Sequence, residues 1–184
     1  EGVKPYQPAG MWKALMHPGS NTKNYVADKG GRLYRRSLYV YWKRTSPHPM
    51  MTLFDAPSRE SSCVKRSRTS TPTQSLALLN EIQRVEMARK LAERLLREAK
   101  DDAGRLDLLF TLLASRSPSD PERTACAKLL GAMRDRYRVA EKEALALLAT
   151  GDAPRDAKLN PGELASWTQV AVIALASDVA LLLY

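Results

Sequence analysis

The chain reads as mainly α-helical, with about four helices over residues 72–182 behind an irregular basic segment that carries at most one short strand. Three observations lead there. Behind Pro72 the apolar residues recur every three or four positions, the spacing that lays them along one face of a helix. The helices of that half open on a repeated capping grammar: Thr71-Pro72-Thr73-Gln74, Ser119-Asp120-Pro121-Glu122 and Asn160-Pro161-Gly162-Glu163. Ahead of Pro72, by contrast, Pro5, Pro8, Pro18, Gly10, Gly19, Gly30 and Gly31 break any regular pattern into turns.

Taken in order, residues 1–33 predict turns with one short helix over 11–16, draped over the rest of the molecule. The run Ser37-Leu38-Tyr39-Val40-Tyr41-Trp42-Lys43 is aromatic and β-branched. Propensity favours a short strand there, with a buried helical turn as the alternative, and Pro47 and Pro49 end it either way. As a strand it would put Leu38, Val40 and Trp42 on one face and Ser37, Tyr39, Tyr41 and Lys43 on the other. Thr71 as N-cap, Pro72 at the first helical position and Gln74 closing a capping box predict a helix over 71–99. Its stripe is Leu78, Ile82, Val85, Ala88, Ala92, Leu95 and Ala99; Glu86 with Lys90 and Glu93 with Arg97 form i,i+4 pairs on a face expected to meet solvent. A second helix over 104–116 carries Leu106, Leu109, Phe110 and Leu113. A third runs from Ser119 to about Thr150, a polar loop occupies 151–158, and the last helix, apolar nearly all round from Trp167 onward, belongs at the centre of the bundle.

With 184 residues, 44% hydrophobic and 27% charged, the chain fits one domain, 1–184, divided into a basic segment over 1–70 and helices over 71–184. Its net charge of +9 is local. Residues 1–72 hold thirteen Lys and Arg against four Asp and Glu, while residues 73–184 hold sixteen of each. The most apolar stretch, 170–184, contains Ser177 and Asp178 and is too short for a bilayer, so it reads as a core helix. Glu1 opens a polar, proline-bearing segment where a leader would be basic and then apolar, so the start reads as an internal cut from a longer chain. Cys63 and Cys126 are too few for a disulfide framework and lack metal-ligand spacing. Packed free thiols are expected, with a single disulfide as the alternative in an oxidising compartment. His17 and His48 stand alone, and no C-x-x-C-H, P-loop or G-x-G-x-x-G occurs, so neither metal nor cofactor is expected in this segment.

The elements YRRSLYVYWKRTSPHPMMTLFDAPSRE, RSRTSTPTQSLALLNE and the late SWTQV, together with KPYQPAGMW and YVADKGGRLYRRS, resemble the planctomycete-specific domain one, also catalogued as domain-of-unknown-function family fifteen fifty-three. The resemblance covers essentially the whole chain. It implies the C-terminal domain of a large exported protein that also contains a cytochrome-c-like segment, hence an extracytoplasmic place near complex polysaccharides, with no established activity. The chain departs from the family pattern at Ser62 and Cys63, where the thiol is displaced by one position, at Thr73, and at Ala176, Asp178, Val179 and Ala180.

The candidate site lies in the basic segment. Tyr34, Arg35, Arg36, Tyr41, Lys43, Arg44, Arg59, Arg66 and Arg68 are the residues expected to meet an anionic partner. Arginines so placed can also cap helix ends, stack on rings or pair with helical acids. Asp55 and Glu60 are the candidate catalytic carboxylates, and a turn bond or an ion pair to Arg35, Arg36 or Arg66 is the structural use of Asp55. Asp178, inside an apolar helix, is expected to receive an arginine of the basic segment as a structural ion pair. The favoured function is a noncatalytic docking module contacting a neighbouring domain of the parent protein or an acidic polysaccharide. The alternative is a hydrolase-like enzyme acting on an anionic carbohydrate through Asp55 or Glu60. An exported location argues against nucleic acid as the partner.

Overall fold

The computed structural model describes residues 2–8, 10–14, 17–20 and 23–181. The chain forms two compact units, Glu1–Ala77 and Leu78–Tyr184.

The first unit contains little regular structure. α1 is Met11–Ala14, and the last two positions of the helix expected over 11–16 lie outside the described residues. 3-10 turns follow at Gly30–Tyr34 and Ser37–Tyr39, and α2 is Pro49–Leu53. The strand expected over 37–43 is not formed. In its place Val3 and Val40 make one isolated parallel bridge, with the Val3 N–H donating to Tyr39 O at 2.8 Å and the Tyr41 N–H to Val3 O at 2.8 Å. Strand propensity rewards a half-buried pleated surface, and this run lacks one: Leu38 is 70% exposed while Lys43 is buried, the reverse of the alternation a strand would need. The unit is held by a small buried set, Val3, Trp12 and Leu33, and by hydrogen bonds that tie its turns together.

α3 (Pro72–Asn80) crosses from one unit to the next, opening on the expected capping box: the Gln74 N–H donates to Thr71 Oγ1 at 3.2 Å and the Thr71 N–H to Gln74 Oε1 at 2.9 Å. The second unit then contains α4 (Ile82–Glu98), α5 (Asp102–Ala114), α6 (Asp120–Val139), α7 (Glu141–Leu148), α8 (Pro161–Ala176) and α9 (Asp178–Leu181). The mainly helical bundle follows the sequence expectation, and α8 is its centre, packed by α4, α6 and α7. Trp167, Leu164 and Val170 are buried on it, and its Ser166 and Thr168 hydroxyls donate to Gly162 O and Leu164 O, both at 2.7 Å, so neither of these buried hydroxyls is stranded. Two expected helices are interrupted. The helix over 71–99 breaks at Glu81, whose extended backbone lets its carboxylate accept the Arg84 N–H at 2.9 Å, while Arg84 donates to Leu78 O and to Leu175 O. The helix over 119–150 breaks at Ala140, which leaves helical geometry and lets α7 turn Ala144 and Leu148 into the core.

A larger correction concerns the face of α4 expected to meet solvent. Glu86, Arg89 and Glu93 are each at most 1% exposed. The loop after α7 covers them: Arg89 donates to Ala153 O at 2.6 Å and to Glu93 at 3.3 Å, the Ala153 N–H donates to Glu86 at 3.0 Å, and the Asp156 N–H to Glu93 at 3.1 Å. Lys90 pairs with Glu93 at 2.9 Å instead of Glu86, and Arg97 reaches Glu93 at 3.2 Å. Gly151 is required here. Its φ is +90°, and a Cβ on it would stand 1.8 Å from a Glu86 carboxylate oxygen.

Asp178 also differs from expectation. α8 ends at Ala176, so Asp178 lies outside the apolar helix, exposed in the first turn of α9, where a carboxylate is favoured by the helix dipole without a buried partner.

Candidate functional site

The basic segment is organised by the end of α2. Phe54 closes the helix, and Asp55 takes a left-handed φ of +56°, a conformation Asp tolerates better than most side chains. The Asp55 N–H donates to Thr52 O at 3.2 Å and the Ala56 N–H to Met51 O at 2.8 Å, the double closure typical of a left-handed helix end. Pro57 then prevents the helix from resuming.

Residues 66–74 are bound onto this turn. One Asp55 carboxylate oxygen accepts from the Thr69 N–H at 2.9 Å and from the Thr69 hydroxyl at 2.7 Å. Arg66 donates to Asp55 O at 2.8 Å and to Phe54 O, so its guanidinium caps the carbonyl end of α2. Gln74 donates to Leu53 O at 2.8 Å and to Thr69 Oγ1 at 2.9 Å. The Phe54-Asp55-Ala56-Pro57 element and the Thr69 to Gln74 element are thus two halves of one hydrogen-bonded knot.

The carboxylates are engaged. Asp55 is held by Thr69, and Glu60 forms a two-pronged pair with Arg44 (Arg44 Nε to Glu60 Oε1, 2.7 Å), whose hydrogen bond holds the Glu60 carboxyl below the usual carboxylate range. Of the residues expected to bind a partner, Arg44 and Arg66 are therefore occupied within the unit. Lys43 is a correction: it is 8% exposed, its ammonium lies 4.2 Å from the centre of the Trp12 ring, and desolvation lowers its pKa.

Tyr34, Arg35, Arg36, Tyr41, Arg59 and Arg68 are exposed. Arg35 stacks 5.8 Å from the Tyr39 ring and Arg59 5.0 Å from the Trp42 ring. Among the described residues no carboxylate lies within ion-pair distance of Arg35, Arg36, Arg59 or Arg68. The first unit thus presents exposed guanidinium groups, one of them stacked on Tyr39, together with Tyr34, Tyr39 and Tyr41, which are 48%, 37% and 38% exposed.

A second feature had no signal in the sequence. A cavity of about 490 Å³ is lined by residues 6–27, among them Gln7, Trp12, Lys13, Lys23, Asn24 and Tyr25. Trp12 packs on Tyr25 with ring centres 4.7 Å apart, and burial together with Asp28 pushes the Tyr25 hydroxyl up to about 12. That hydroxyl donates to Pro5 O, and the Asp28 carboxylate accepts the Lys4 N–H at 2.9 Å. The residues that close this pocket are spread through a proline- and glycine-broken stretch with no periodicity to relate them. A shallower hollow of about 390 Å³ lies against α2, lined by Met11, Ser46, Pro47 and Leu53 among others. Neither cavity is lined by Asp55 or Glu60. Cys63 is an exposed free thiol, and Cys126 is a free thiol whose pKa burial raises.

No helix is long and apolar enough to cross a membrane among the described residues. These are the marks of a mainly helical protein whose front half is a basic, turn-built unit fastened by short motifs. The chain belongs to the PSD1 family, proteins of unknown function (DUF1553), whose model matches residues 1–130. That match takes in the knot, the exposed arginines and the cavity. No curated protein and no solved structure matches the chain.

Proposed function

We propose that the first unit is a noncatalytic docking module of a larger exported protein, and that its exposed arginines and tyrosines contact an anionic partner, a neighbouring domain of the parent chain or an acidic polysaccharide. One observation carries this reading. The surplus of nine positive charges lies in a segment with four acids, and of these Asp28 and Glu60 are spent on Arg32 and Arg44 while Asp55 is spent on Thr69. Guanidinium groups beside exposed phenol rings suit carboxylates or sulfates carried on a polymer, because the planar fork grips the anion while the rings cover apolar faces.

The engaged carboxylates support the same choice over a hydrolase. A general acid needs a proton to give near neutral pH, whereas Glu60 is held ionised by Arg44. A glycosidase pair would also need both carboxyls facing one sugar site, and neither lines the 490 Å³ cavity or the 390 Å³ hollow. The extracytoplasmic location is part of the proposal and rests on the family resemblance.

The test is retention of the full chain on immobilised polygalacturonate at two salt concentrations, beside the Arg35→Ala/Arg36→Ala variant. Salt-sensitive retention that the variant loses is expected. Equal retention of the variant, or retention insensitive to salt, overturns the reading.

A further inference from the structure

Each wall of the 6–27 cavity asks for a different kind of atom. Trp12 is 4% exposed, and its indole Nε1–H is buried without an acceptor among the described residues. Gln7 lines the same cavity with its carbonyl oxygen Oε1 buried and without a donor. Buried polar atoms are satisfied in the great majority of cases, so a donor and an acceptor left over on two residues that line the same cavity point to a bound molecule that completes the bonding. The charge of the walls is one-sided. Lys13 and Lys23 both line the cavity and, among the described residues, no carboxylate does; the Lys23 ammonium donates to Pro18 O, a neutral acceptor. The Asn24 amide adds a further donor and acceptor, and Tyr6, Pro8 and Ala27 supply apolar surface.

These requirements narrow the ligand. Two ammonium groups and an indole N–H call for negative charge and acceptors, which a simple carboxylate meets. The Gln7 oxygen calls for an O–H or N–H donor, which a simple carboxylate lacks. Trp12 is covered by Tyr25 on one side and by the Lys43 ammonium, so it is a wall and not an open stacking platform, which disfavours a flat nucleobase. The volume, about 490 Å³, falls in the range of small-molecule sites, roughly 300–1,000 Å³. We propose that the cavity binds a polyhydroxylated carboxylate of the sugar-acid type, with Lys13 and Lys23 on its carboxylate, Gln7 accepting from a ring hydroxyl and Trp12 donating to a ring oxygen. The site is distinct from the arginine face and does not need it. The reading of that face as polyanion-binding stands or falls by a separate variant.

The experiment is a chemical-shift titration of the ¹⁵N-labelled full chain with D-glucuronate, D-glucose, acetate and inorganic phosphate, following the Trp12 indole N–H, assigned by its loss in Trp12→Phe. Saturable movement with glucuronate is expected, with each of the other three binding roughly tenfold more weakly: glucose lacks the charge, acetate lacks the hydroxyl donor, and phosphate, which has both, lacks the ring faces that Tyr6, Pro8 and Ala27 would cover. Lys13→Ala/Lys23→Ala and, separately, Gln7→Ala should weaken glucuronate by roughly tenfold and about fivefold, and Arg35→Ala/Arg36→Ala should leave it unchanged. Lys13 and Lys23 are exposed, so their removal leaves the fold intact. No saturable movement, equal response to acetate or phosphate, or an unaltered titration in the lysine variant overturns the proposal. Loss of polygalacturonate retention with an intact glucuronate titration fails neither idea. Retention unaffected by the arginine variant fails the docking surface alone.

Discussion

The two units use charge in opposite ways. In the second unit positive and negative side chains are equal in number, sixteen of each after Pro72, and they are spent on one another. Arg134 bridges Asp102 at 2.6 Å and Glu163, and Arg105 joins both; Glu163 also accepts the Trp167 indole N–H at 3.1 Å. Arg134 is held protonated more firmly than usual by those two carboxylates, and Asp102 is held below the usual carboxylate range by Arg134. In the first unit the arginines outnumber the acids and turn to rings and backbone carbonyls. The difference separates scaffold from surface: paired charge fixes helices, while surplus charge on turns is left to face a partner.

The sharpest way to break the scaffold half of this comparison is at the buried cluster on α4. Glu93→Ala removes the carboxylate shared by Arg89, Lys90 and Arg97 and leaves a buried guanidinium short of its counter-charge, so a loss of about 3–5 kcal/mol is expected in chemical denaturation. Gly151→Ala should be of similar size, because strain at positive φ and the overlap with Glu86 both oppose the loop's closure. A melt within a degree of the parent for either variant would contradict the closure of the loop after α7 over Glu86, Arg89 and Glu93.

The knot of the first unit is smaller and is built on hydrogen bonds to the Asp55 carboxylate and from the Arg66 guanidinium, not on ion pairs. Asp55→Ala strands the Thr69 N–H and hydroxyl, and a loss of about 1–3 kcal/mol is expected, read as faster hydrogen exchange confined to residues near 50–75. Exchange that is unchanged there would show that the two motif elements are not coupled.

A pH effect comes next. Arg116 and the Ser119 cap hold Glu122 at about 2 against an ordinary 4.5. A depressed carboxylate adds stability above its unfolded value and loses it as pH falls through its folded one. The contribution should therefore be full above about pH 4.5 and vanish toward pH 2, and Glu122→Gln should flatten that part of the stability profile. A variant with the parent's slope would rule out Glu122 as its source. The smallest effect is expected for Asp178→Ala, below about 0.5 kcal/mol as for most surface substitutions, since the residue is exposed at a short helix start. A drop of several degrees would restore the clamp that its place in the sequence suggested.

Local grammar was legible in the sequence because its partners are three or four residues apart. Thr71 with Gln74, Ser119 with Glu122 and Asn160 with Glu163 all form the caps that their spacing implies, and Asp101 adds a fourth at 2.8 Å from the Gly104 N–H. The central place of α8 was legible from its lack of a polar face. What was hidden is long-range. Glu86 and Glu93 carry the spacing of solvent-exposed pairs, and only a loop more than sixty residues later buries them. Trp42 and its neighbours carry strand propensity, but among the described residues their backbone makes a single bridge, Val40 to Val3, and not a sheet. In the candidate site the exposed arginines followed from composition, whereas the burial of Lys43 against Trp12 and the pocket of Gln7, Trp12, Lys13 and Lys23 depend on how residues 4–48 turn back on themselves.

The central claim is that the surplus arginines of the first unit form a surface and not a scaffold. Arg35→Ala/Arg36→Ala tests it most directly when the melting temperature and the salt dependence of polygalacturonate binding are measured on the same sample. An unchanged melt is predicted, with binding lost at the low salt concentration that retains the parent chain. A lowered melt with binding retained would contradict the claim and return Arg35 and Arg36 to the framework of the fold.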